Sequence, residues 1–200
     1  MRLAIGIGII TAAALSLAPA VAQQAGDAPK LTPQQQAEME IYIKAGTPGA
    51  PHKMLAATAG TYDLKIKSWD APGTPPMEST GTAVRSVDLE GRVVVERVTA
   101  TMMGMPYTGQ SMTGYDNVTG KYWSTWTDTM STGIMVNEGT CDEKQSCTFT
   151  GSWQDPVRKS EVTARMTTRW PSPTTEVFEM YGPGRDGKEM KMMEITYIKR

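Results

Sequence analysis

The sequence is poor in the residues that most enzymes use for chemistry. It holds one histidine, His52, and two cysteines, Cys141 and Cys147, in 200 residues. A single imidazole with no free thiol rules out most His-based triads and zinc sites. Charge of one sign is also missing, with 20 basic against 21 acidic side chains. No basic field is therefore available for nucleic acid or an anionic membrane surface. Only two phenylalanines are present. Beyond the amino end there is no apolar run of the roughly 20 residues that a spanning helix requires.

The one long apolar run is Leu3 to Leu17, preceded by Met1-Arg2 and followed by Ala18-Pro19-Ala20-Val21-Ala22. A cationic start, an apolar centre and small residues at −3 and −1 are the pattern of a secretory signal peptide. Cleavage is expected after Ala22, and the chain is expected to be exported, periplasmic or extracellular. In that setting Cys141 and Cys147, separated by the polar run Asp142 to Ser146, are expected to form a disulfide across a hairpin tip. A redox pair is the alternative, but its usual Cys-x-x-Cys spacing at a helix start is absent.

The organisation expected is 1–22 signal peptide, 23–46 flexible lead and short helix, and 47–200 β-barrel. Thr32-Pro33-Gln34-Gln35 carries a capping threonine, a proline suited to the first helical position and the glutamine of a capping box. The helix should run to about Lys44 and stop at Gly46, with a second short helix over 51–59. From Thr61 the period changes to two: Tyr62, Leu64 and Ile66 alternate with Asp63, Lys65 and Lys67. Nine turn signals then divide the chain into ten strands. Short connections make neighbours antiparallel, and a ten-strand meander loses its edges by closing into an all-β, up-and-down barrel. A two-sheet sandwich is the runner-up. The short helix before the first strand would cover one end, with Met54 and Leu55 inward.

The candidate binding residues lie on strands whose two faces are both mixed. Tyr122, Ser124, Trp126 and Asp128 share one face; Val136, Glu138 and Thr140 share another; Val177, Glu179 and Tyr181 a third. Mixed faces suit a partly wet interior, where acceptors and hydroxyls surround a ligand or water. The expected ligand-binding set is Tyr115, Trp126, Asp128, Glu138, Glu179 and Tyr181, with the fifteen methionines as core filling or an adaptable pocket wall. Solvent exposure of the glutamates is the competing reading. His52 reads as a helix-terminal capping group. No catalytic residue, metal or cofactor is assigned.

The strings HKMLAATAGTYDLKIKSW (52–69), MESTGTA (77–83), MGMPYTGQSMTGYDN (103–117) and KYWSTWTDTMSTGIM (121–135) resemble a bacterial family known as domain of unknown function 1579. NEGTCD (137–142), FTGSWQDP (149–156), FEMYGPG (178–184) and GKEMKMMEITY (187–197) continue the resemblance. It implies a barrel like those of lipocalins and fatty-acid-binding proteins, and it implies no activity. Tyr62 stands where that pattern has tryptophan, and the cysteine pair is additional to it.

The expected function is binding of a small, largely apolar molecule in the barrel, with no nucleic acid and no membrane span. Two alternatives stay open. One is an enzyme using Asp128, Glu138, Glu179 or Glu194. The other is an envelope module that binds protein through its outer surface, for which Trp69, Trp123 and Trp153 are the residues to inspect.

Overall fold

The computed structural model describes residues 31–200. The expected signal peptide and most of the flexible lead lie outside the described residues. The whole barrel lies within one compact unit, Met39–Arg200. Helix α1 spans Pro33–Gly46. Its first turn carries the expected reciprocal cap. The Gln35 amide donates to Thr32 Oγ1 at 3.3 Å, and the Thr32 amide donates to Gln35 Oε1 at 2.9 Å.

Ten antiparallel strands follow helix α2 (Ala50–Ala56) and close into one barrel. They are β1 (Gly60–Ser68), β2 (Met77–Asp88), β3 (Val93–Met102), β4 (Met105–Asp116) and β5 (Lys121–Asp128). The second half is β6 (Met135–Cys141), β7 (Cys147–Asp155), β8 (Ser160–Ser172), β9 (Thr175–Pro183) and β10 (Glu189–Lys199). Each strand pairs with its neighbours in sequence, and β1 pairs with β10 to close the ring. The sandwich alternative is thereby excluded.

The turn expected at Gly104 to Pro106 lies one step earlier. Met103 and Gly104 both have positive φ (51° and 77°), the conformation of a two-residue hairpin whose twist matches its strands. Pro171, expected in a turn, belongs instead to β8, beside the register shift between Arg169 and Ser172. A proline without a donor is tolerated at such an irregularity.

The alternation in β1 fixes which face is inside. Tyr62, Leu64 and Ile66 are buried, while Asp63 and Lys65 are exposed. Directly opposed residues share a face, so register carries this assignment around the ring. One inward row runs Leu64, Gly81, Ala100, Tyr107, and in the other direction Leu64, Tyr197, Glu176. A second runs Arg85, Glu96, Ser111, Trp126, Met135 over β2 to β6. A third is Val94, Thr113, Ser124, Asn137, Gly151, Ala164. The fourth crosses seven strands as Tyr115, Tyr122, Gly139, Phe149, Met166, Met180, Met193.

The outer face is charged. Lys65, Arg97, Lys121, Glu138 and Glu161 are exposed on it. An outer-membrane barrel needs an apolar band there instead. Among the described residues no helix is long and apolar enough to cross a membrane.

Helix α2 contacts β3 and β4 at one end of the barrel. It is held there by His52, which is buried. The Gly49 amide donates to His52 Nδ1 at 3.0 Å, so the proton sits on Nε2, which donates to the Tyr115 carbonyl at 3.1 Å. The one histidine is thus a cap that also ties the helix to the sheet. Met54 lies under the barrel, its sulfur 3.9 Å from the Tyr122 hydroxyl.

Candidate functional site

The inward phase holds six charged side chains, Arg85, Glu96 and Glu176 along the wall and Asp128, Asp155 and Lys199 at strand ends. The first three form one cluster. Arg85 donates through Nε to Glu96 and through Nη1 to Glu176 Oε2 at 2.5 Å. Its guanidinium carbon also lies 4.6 Å from the centroid of the Tyr197 ring and 5.0 Å from that of Tyr62. Tyr197 donates its hydroxyl to Glu96 Oε1 at 3.4 Å. Both glutamates are 6% exposed. Burial raises the Glu176 carboxyl above the usual carboxylate range, against the opposing pull of Arg85. Burial likewise pushes the Tyr197 hydroxyl well up. The two carboxylates outweigh burial at Arg85 and hold its guanidinium charged. Charged groups removed from water in this way are costly unless paired, and a barrel core needs none of them for packing.

Asp128 organises a second polar cluster. Its Oδ2 accepts from Trp126 Nε1 at 2.9 Å and from the Tyr107 hydroxyl at 3.1 Å, and its Oδ1 accepts from the Met130 amide at 2.9 Å. Burial and the neighbouring carboxylate push the Tyr107 hydroxyl up. Trp126 can lie flat on β4 because residue 109 is glycine; a Cβ there would overlap the indole. From that seat Trp126 packs against the buried cluster that includes Leu64 and Tyr197.

Between these groups the wall is small and polar. Asn137 is 5% exposed and donates from Nδ2 to Ser124 Oγ at 3.0 Å. Its Oδ1 rests against Gly151 and has no hydrogen-bond partner.

The inward-facing side chains are not all buried. Ser111, Thr113, Ser124, Trp126, Trp153, Phe178 and Met180 are each half-buried. Exposure of side chains that point into a closed barrel means that solvent reaches the interior. Two depressions also open on the barrel. One, of about 490 Å³, lies beside the disulfide hairpin and Arg169; the other, of about 560 Å³, lies over β1 to β3 around Lys65, Thr82 and Thr99.

The sequence-expected residues divide between the two faces. Trp126 and Asp128 are inward and hydrogen-bonded to each other. Tyr115 is inward at the α2 end, edge-on to Tyr122 at 4.8 Å and to His52 at 5.7 Å. Glu138 is outward, 58% exposed and paired with Lys121. Glu179 and Tyr181 are outward as well. Lys191 pairs with Glu179 and with Glu194 at 2.8 Å, and Arg165 covers the Tyr181 ring at 4.3 Å. The Lys191 ammonium holds the Glu179 carboxyl below the usual range. These three residues sit one position out of phase with the inward rows, so the barrel cannot bring them to Trp126 and Asp128. Trp69, Trp123 and Trp153 do not form one patch either. Trp153 opposes buried Val162, Trp123 lies on Gly114, and Trp69 lies 5.8 Å from Lys191 Nζ.

Arg85, Glu96 and Glu176 were not expected. Their one sequence signal is phase. Arg85 falls in step with Gly81 and Ala83, and Glu96 in step with Val94 and Val98. In β3 the other phase opens with Val93 and Val95, which hides that signal.

Cys141 and Cys147 are directly opposed and disulfide-bonded, with Cα atoms 3.9 Å apart, closer than the usual 4.4 Å lower bound. A structural disulfide belongs to an oxidising compartment.

Comparison with known proteins adds the family. No curated protein sequence matches the chain. Among solved structures it is similar to a redesigned β-barrel at 14% identity, over 73% of this chain and 96% of that one, with a TM-score of 0.36. A family model described as "Protein of unknown function (DUF1579)" matches residues 47–199, and the chain belongs to that family.

Proposed function

We propose that this protein is an exported binding module that holds a small, largely apolar molecule inside its barrel. The observation that carries this reading is the half-buried state of inward-facing Trp126, Phe178 and Met180 in a closed ring of strands. Aromatic and thioether surface supplies apolar contact, and methionine adapts to irregular shapes. Asp128, fixed by Trp126 and Tyr107, keeps the indole in one orientation. A few placed polar groups in a mostly apolar lining is the usual composition of small-molecule sites. Helix α2 closes one end, so the ligand enters at the other.

Native mass spectrometry of the full chain, isolated from its source without denaturant, tests the reading. A stoichiometric mass that disappears on unfolding is the expected result. A chain that carries no passenger, and takes up no apolar probe when offered one, overturns it.

A further inference from the structure

We infer that the interior selects ligands whose polar head donates hydrogen bonds, protonated amines first, and that it rejects carboxylates. This rests on the binding reading above and names its ligand class.

Two independent observations point the same way. The first is charge. In the inward phase two cations, Arg85 and Lys199, stand against four carboxylates, Glu96, Glu176, Asp128 and Asp155, and Lys199 lies at the α2 end, where it donates to the Ala57 carbonyl. Arg85 is already engaged by two of the carboxylates. A fatty-acid-like carboxylate entering this space would meet an excess of like charge, and in a low-dielectric interior that repulsion is poorly screened. An ammonium would meet the opposite field.

The second is hydrogen-bonding capacity. The buried Oδ1 of Asn137 is an acceptor with no donor. Among the described residues Glu176 engages Arg85 through Oε2, and its Oε1 accepts no hydrogen bond. The Ser111, Thr113 and Ser124 hydroxyls can serve either way. Spare capacity is therefore on the acceptor side. A head that donates would satisfy it, whereas one that only accepts would leave buried acceptors unpaired. Such asymmetry gives strong discrimination, because a polar group left unmatched costs more than a matched one contributes.

The experiment uses the full-length protein at pH 7 and Nile red, an uncharged apolar dye. Bound dye is displaced by octylamine, octan-1-ol or octanoate, three heads on one short chain. Octylamine, protonated at this pH, is expected to displace at a concentration at least tenfold below octanoate, with octanol between them. Glu176→Gln should shrink that ratio severalfold. Glu138→Gln, on the outer face, should leave it unchanged. The order of heads on the wild-type protein is decisive whether or not the Glu176 variant folds. Equal potency, a preference for octanoate, or dye that none of the three displaces would overturn the head-group inference while leaving the binding reading standing. Failure of the protein to take up Nile red at all would overturn the binding reading, and this inference with it.

Discussion

Arg85 Nη1 donates to Glu176 Oε2 at 2.5 Å across 91 positions of sequence. The bond joins β2 to β9 through the interior, past β1 and β10, which separate them in the ring. It is a strut across the barrel and not part of any strand pairing. Since the same guanidinium binds Glu96 on β3, removing it strands two buried carboxylates at once.

Arg85→Met should therefore destabilise the protein by about 3–5 kcal/mol, the usual cost of leaving a buried charge uncompensated. The triple change Arg85→Met, Glu96→Leu, Glu176→Leu should recover most of that loss, because no unpaired charge remains. Urea unfolding of the three proteins checks this. A single-variant cost below about 1 kcal/mol would show that the carboxylates find water or other partners.

The raised Glu176 carboxyl predicts a pH dependence with a definite sign. A folded value above the unfolded one means that the native state binds the proton more tightly. The stability contribution is then full below the unfolded value and is lost as pH rises through the folded one. Glutamine imitates the protonated form. Glu176→Gln should thus match the wild type near pH 4 and gain on it as pH rises toward 7. The groups facing Glu176 are Arg85, Glu96, Tyr62 and Tyr197, and all are retained in the variant. Asp63, Asp116 and Glu189, whose carboxyls are lowered by hydrogen bonds, lose their contributions as pH falls, but equally in both proteins. Thermal melts at several pH values give the difference curve. A gap between the two proteins that is independent of pH would refute the assignment.

Gly109→Ala should displace the indole of Trp126, because the added methyl occupies its seat. A cost of about 1–3 kcal/mol is expected from overpacking. Loss of the Trp126 to Asp128 hydrogen bond should also shift tryptophan emission, and Nile red uptake should weaken. Unchanged emission and uptake would mean that the indole is free to move aside.

Replacing both cysteines by serine should lower stability by about 2 kcal/mol, the expected effect of opening a short loop. Nile red uptake should not change, since Trp126 and Met180 lie on other rows and Thr168 stands between Phe178 and Cys147. Free thiols in protein recovered from its native compartment would contradict the bond.

Much of the architecture was legible in order along the chain. Thr32 and Gln35 announced the cap of α1, Tyr62, Leu64 and Ile66 announced β1, and the turn residues counted ten strands. These are local signals, set by backbone preference and by the two-residue period of a strand, so sequence alone carries them. The disulfide was legible for the same reason, because its two cysteines flank one turn.

The site was not legible in that way, and the cause is the strand period. A run such as Val136 to Thr140 has two faces, and composition does not say which is inside when both are mixed. Glu138, Glu179 and Tyr181 were assigned to the interior, and one step of phase places them outside, against Lys121, Lys191 and Arg165. Trp126 and Asp128 share their face with Tyr122, and the structure buries that face. Arg85, Glu96 and Glu176 lie on three strands, two of which are neighbours while β9 stands apart, and nothing local marks them as partners. Sequence determined the elements, their order and their pairing, since each depends on neighbours along the chain. Only closure of the ring decided which faces share the interior, because that is where residues 91 positions apart come within hydrogen-bonding distance.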